Sequence, residues 1–134
     1  PCTEFSHGFH SPISKSRRNI KGYENFIPST DLVQQTYDLI KKVKPKFWVI
    51  ENVIGSIKWL EPILGFPSQI IGSQVLWGNF PFIHMPPGFK ENKEDKDKGP
   101  SNPLRSNYRA VIPYELSMCL KIAVEEQPTL EEWI

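Results

Sequence analysis

Two short stretches hold the groups best suited to chemistry, "PCTEFSHGFH" at 1–10 and "FWVIENV" at 47–53. The first sets Cys2 directly after Pro1, and the second ends an apolar run on Glu51 and Asn52. A cysteine thiolate is an intrinsically strong nucleophile. A carboxylic acid placed across from it supplies a proton or a hydrogen bond to the group under attack. Taken singly, each residue has an ordinary explanation. Free cysteines mostly behave as small core residues, and a glutamate at a strand end is mostly just solvated. Together they gain weight at the carboxyl ends of strands, where open α/β sheets bind their ligands. A strand preceding Pro1 would set Cys2 at one such end, with Glu51 at the next.

The elements between and beyond these stretches decide whether that placement is plausible. Residues 1–30 are polar and irregular, with "SKSRRNIKGY" as a basic loop. From Asp31 to Lys44, Val33, Tyr37 and Ile40 recur at helical spacing beside Leu32, Leu39 and Val43. Ser29, Thr30 and Asp31 are candidate N-caps, Lys41, Lys42 and Lys44 suit the negative end of the helix dipole, and Pro45 stops the helix. "FWVIENV", apolar on both faces up to Glu51, reads as a central parallel strand covered on both sides. The sheet is therefore expected to be parallel, with right-handed crossovers. A short helix is expected over 55–65, and "SQIIGSQVLWGNFPFI" reads as a strand or hairpin interrupted at Gly72 and Gly78. Residues 83–108 form a short excursion, polar and rich in both charges over most of its length. A last amphipathic helix spans 113–126, with Pro113 in its first turn and Leu116, Cys119, Leu120 and Ala123 on one stripe.

Composition narrows the classes. The 134 residues are 39% hydrophobic and 23% charged, as in a folded domain. Sixteen basic against fifteen acidic residues give a net charge of +1, so any nucleic-acid contact must come from local clusters. Two cysteines make no disulfide framework, and no apolar run is long enough for a membrane span or a secretory signal, so a cytoplasmic setting is expected. Cys2, His7 and His10 have the spacing C-x4-H-x2-H, but no second cluster completes a tetrahedral metal set, and no metal is expected.

"PCTEFS" resembles the Pro-Cys-x-x-Phe-Ser nucleophile motif of the cytosine-C5 methyltransferases, and "ENV" at 51–53 is similar to their Glu-Asn-Val motif. "RAVIPYELSMCLKIAVEE" at 109–126 resembles their final Asn-x-Val-Pro segment and helix, and "LWGNFPF" is similar to compact phage and archaeal members. The resemblance implies a Rossmann-like α/β methyltransferase fold of which residues 1–134 are the second, catalytic half. The implied reaction is methyl transfer from S-adenosylmethionine to C5 of a flipped cytosine in double-stranded DNA, through a covalent adduct on Cys2. Glu51 would act on N3 and the 4-amino group of the ring. Pro1, Ser6 and Asn52 would support the catalytic loop, and Lys15, Arg17, Arg18 and Lys21 would contact phosphates. Arg109, Ala110 and Val111 would touch the cofactor. A restriction-modification role in a prokaryotic or viral setting follows from the same likeness.

The sequence departs from the family in three places. No Phe-x-Gly-x-Gly cofactor segment occurs, so a preceding N-terminal half or a partner chain is expected to complete the fold. The Gln-x-Arg-x-Arg strand keeps Gln74 but has no arginine nearby, and only 83–108 stands where a target-recognition domain would sit. The alternatives are a tRNA cytosine-C5 methyltransferase and a non-catalytic nucleic-acid-binding fragment or subunit of a split enzyme.

Overall fold

Helix α1, Asp31–Val43, follows from the periodic stripe read in the sequence. Its half-buried face is Val33, Tyr37 and Ile40, whereas Leu32, Leu39 and Val43 are exposed. The helix closes one residue early, because Lys44 turns left-handed (φ 52, ψ 52) while its N–H still donates to Ile40 O at 2.8 Å. Pro45 then bars a further turn. At the other end Ser29 Oγ accepts the Asp31 N–H at 3.3 Å, and Thr30, the N-cap residue, makes no side-chain cap bond. The computed structural model describes Phe5, residues 27–90 and residues 111–126. The chain divides into two units, Pro1–Asn79 and Phe80–Ile134.

In the first unit, strand β1 (Trp48–Val53) runs through a 3-10 turn (Ile54–Ser56) into helix α2 (Ile57–Leu64). Strands β2 (Gln69–Ile71) and β3 (Gln74–Asn79) follow. The sheet order is β1–β3–β2, and both pairings are antiparallel. This corrects the expectation of a parallel sheet with β1 at its centre. Only Gly72 and Ser73 separate β2 from β3, and a two-residue connection with Gly72 at φ 60 can only return the chain as a hairpin. β1 stands at the end of the three-strand order among the described residues, and Val49 on it is partly exposed. Because β1 and β2 both oppose β3, they run in the same direction. Together β1, α2 and β2 therefore make a βαβ unit split by an inserted antiparallel strand.

Both faces of the sheet hold buried residues, Val75 and Trp77 on one and Ile71 and Leu76 on the other. Phe5, Leu60, Val75 and Trp77 are buried together, with Val33, Val53, Ile57, Trp59 and Leu64 packed around them. Each such apolar side chain contributes about 1.5–3 kcal/mol when fully buried. Trp77 satisfies its indole N–H on Gly65 O at 3.0 Å, where the chain leaves α2 at φ 77. The Tyr37 and Trp48 rings lie 5.8 Å apart and tie α1 to the face of Val75 and Trp77. At Gly78, β3 passes so close to β1 that a Cβ would fall inside the van der Waals envelope of Trp48 O. Ser68 continues the hairpin beyond β2: its N–H donates to Leu76 O, and its Oγ donates to Gly78 O and accepts Gly78 N–H. Asn79 Nδ2 donates to Lys46 O at 2.7 Å and fixes the start of β1.

The second unit contains helix α3, Tyr114–Glu125, with Pro113 as its N-cap residue rather than inside its first turn. Leu116 is buried, and Cys119, Leu120 and Ala123 are half-buried, as the stripe predicts. Residues 80–90 form neither helix nor strand; Ile83 is buried, and Gly88 (φ 78) turns the chain so that Phe89 N–H reaches Pro86 O. The rest of the 83–108 excursion lies outside the described residues. Among the described residues no helix is long and apolar enough to cross a membrane.

Candidate functional site at the carboxyl end of β1

Glu51 occupies the fourth position of β1, half-buried, opposite Leu76 of β3. Successive residues of a strand point to opposite faces, so the register sorts the neighbours. Glu51 and Val53 share a face with Gln74 and Leu76 of β3 and with Gln69 and Ile71 of β2. Asn52 points to the other face with Val75 and Trp77 and is buried. That burial demands a hydrogen bond, and Asn52 Oδ1 accepts the Val53 N–H at 2.9 Å. Ser56, wholly buried, donates from its Oγ to Val53 O at 2.7 Å. Asn52 and Ser56 thus satisfy both backbone groups of Val53, the residue at which β1 ends and the 3-10 turn begins. The Glu-Asn-Val segment is a braced strand end.

Cys2, Pro1 and Ser6 lie outside the described residues, as do Lys15, Arg17, Arg18 and Lys21. Phe5 is described, and it is the informative member of its motif. It is buried in the cluster with Leu60, Val75 and Trp77, against which Val53 also packs. Phe5 follows Cys2 by three residues in the sequence. Phe5 belongs to the face opposite Glu51, and Val53, at the strand's end, is where the two neighbourhoods adjoin. Beyond a phenylalanine three residues after the cysteine, nothing in the sequence marks this packing.

Of the residues assigned to the cofactor, Arg109 and Ala110 lie outside the described residues. Val111 is described and 59% exposed. It stands before α3 in the second unit and has no polar side-chain atom to offer an adenosine or a charged tail. Val111 would offer S-adenosylmethionine an apolar contact only.

Gln74 gained no role from spacing alone. At the first position of β3 it faces Val53 on one side and Ile71 on the other, so it joins the carboxyl ends of the two codirectional strands. It is only 7% exposed, and its Oε1 is enclosed without a hydrogen-bond partner. The indole N–H of Trp59 is the other enclosed polar atom without a partner among the described residues, and Trp59 packs against the Phe5 cluster. Comparison of the chain with protein-family models, with curated proteins and with solved structures finds no match.

Proposed function

We propose that this chain is the catalytic portion of a cytosine-C5 methyltransferase acting on DNA, and that its own residues activate the base. In this reading the Cys2 thiolate adds to C6 of an unstacked cytosine, forming the S–C6 bond. The C5–C6 π pair moves into the ring as an enamine, which makes C5 nucleophilic. Glu51 gives a proton or a strong hydrogen bond to N3 as charge develops there. The base must leave the helix because C6 is inaccessible within a duplex. A Rossmann-like arrangement, completed by further strands beside β1, is part of the same proposal, as are the methyl donor S-adenosylmethionine and the phosphate contacts of Lys15, Arg17, Arg18 and Lys21.

The observation that carries this reading is Phe5. Its burial with Val75 and Trp77, next to Val53, supports an approach of Cys2, three residues earlier in the sequence, to the strand end that bears Glu51.

Reversible addition at C6 lets C5 take a solvent proton and lose its own, so the first half of the reaction is measurable without a methyl donor. The test is release of tritium from [5-³H]cytosine in DNA, with labelled methyl transfer from S-adenosylmethionine measured in parallel. Wild-type chain should release label, Cys2→Ser should release none, and Glu51→Gln should be slower by about 10²- to 10⁴-fold. Equal release by wild type and Cys2→Ser would overturn the reading. Competition between duplex DNA and tRNA separates the two nucleic-acid substrates.

A further inference from the structure

Gln74 combines two properties that rarely coexist in a folded chain. It is more than nine-tenths buried, and its Oε1 has no donor. Leaving an enclosed carbonyl unpaired is unfavourable, and a methionine or leucine of similar volume would avoid it. Its position is equally specific. The side chain lies on the sheet face of Glu51, one diagonal step across the β1–β3 pairing, roughly 7–8 Å away between backbones. It also stands beside the carboxyl ends of both β1 and β2.

We infer that Gln74 is a specificity residue of the proposed site, accepting through Oε1 a hydrogen bond from the exocyclic amino group of the bound pyrimidine. This rests on the reading of Glu51 and Cys2 as a cytosine site. A cytosine 4-amino group has two N–H bonds. Glu51 takes the one beside N3, and the second points away from N3 and needs an acceptor of its own. Uracil and thymine carry a carbonyl oxygen at that position, which would meet Oε1 as acceptor against acceptor. A site built to receive an N–H rejects the analogue that lacks it.

The experiment measures tritium release by the 134-residue chain from single-stranded oligonucleotides containing [5-³H]cytosine or [5-³H]uracil, together with thermal stability. Gln74→Met should melt at a higher temperature than wild type, because the orphaned carbonyl is gone. Its preference for cytosine over uracil should fall by about tenfold, the size of one hydrogen bond between neutral groups. Gln74→Glu keeps the shape and an acceptor at both ends, and it should keep the preference; it serves as the deciding variant if Gln74→Met fails to fold. An unchanged preference in Gln74→Met, or a lost preference in Gln74→Glu, overturns the proposal and leaves Oε1 as the partner of an enclosed water only. Wild-type chain releasing label from neither base overturns the cytosine reading itself and this inference with it. A wild type that releases label while Gln74→Met keeps its discrimination removes only the role of Gln74.

Discussion

Gly78 offers the sharpest test of how β1 is held. A Cβ at this position would collide with Trp48 O and stand 3.0 Å from both Trp48 C and Val49 Cα, all of them backbone atoms of the neighbouring strand. Backbone in a paired strand cannot swing aside as a side-chain tip can, so Gly78→Ala must push β1 and β3 apart. Overpacking of this kind costs about 1–3 kcal/mol, and the left-handed φ of 155 adds strain of about 1 kcal/mol for any L side chain. The sum, about 2–4 kcal/mol, is a large part of the ~5–15 kcal/mol that stabilises an ordinary domain. Gly65 is the control, since its φ is also positive, at 77, but nothing lies within 4 Å of its would-be Cβ. Gly65→Ala should cost only the conformational part, about 1 kcal/mol. Chemical denaturation of both variants and wild type, read by tryptophan fluorescence, measures the difference directly. If the two substitutions are equally harmful, the close approach at Gly78 is not what limits the residue there, and the argument fails.

Removing the Ser56 hydroxyl with Ser56→Ala strands the Val53 carbonyl inside the protein and should cost about 1–3 kcal/mol. It should also slow tritium release more than Leu39→Ala, a change at an exposed position of α1; equal rates would separate the strand end from the chemistry. On α1, Lys41 Nζ lies 2.7 Å from Asp38 Oδ1, and that hydrogen bond holds the Asp38 carboxyl below its ordinary 3.8 and lifts Lys41 above its ordinary 10.5. A depressed carboxylate contributes stability that is present above its unfolded value and is lost as pH falls through the folded one. The raised lysine contributes below its unfolded value and is lost as pH rises through the folded one. Wild type should therefore exceed Asp38→Asn slightly in thermal midpoint at neutral pH, with the gap closing below pH 3.8 and in high salt, since both groups are exposed. A gap persisting in acid refutes the pairing.

What the sequence disclosed, it disclosed through local rules. The Val33–Tyr37–Ile40 stripe and Pro45 locate α1 to within a residue, and Pro113 with the Leu116–Ala123 stripe does the same for α3. The Gly72 interruption is a turn, as its residue type suggests. Strand direction was misjudged because an apolar run on both faces is compatible with either pairing, and the deciding fact lies elsewhere, in the brevity of the connection after Ile71. Glu51 at a strand end was legible from the motif. The burial of Phe5 and the orphaned amide of Gln74 were not. Both depend on contacts between residues far apart in the chain, which neither propensity nor periodicity encodes. The Gly78 close approach falls in the same class: the sequence marks an interruption, and only the neighbouring backbone explains it.

The inserted position of β3 also sets an order of assembly. Ile71 and Gln74 meet across a turn of two residues, and such hairpins close within about 1–10 μs. Val53 meets Gln74 only after the chain from 54 to 73, helix included, has folded back, and that longer closure carries the larger entropic barrier. β1 should therefore be the last strand to dock. Its six pairings with β3, against three for β2, then hold it there. The acid of the proposed site would thus be set in place by the closing step of the sheet's assembly.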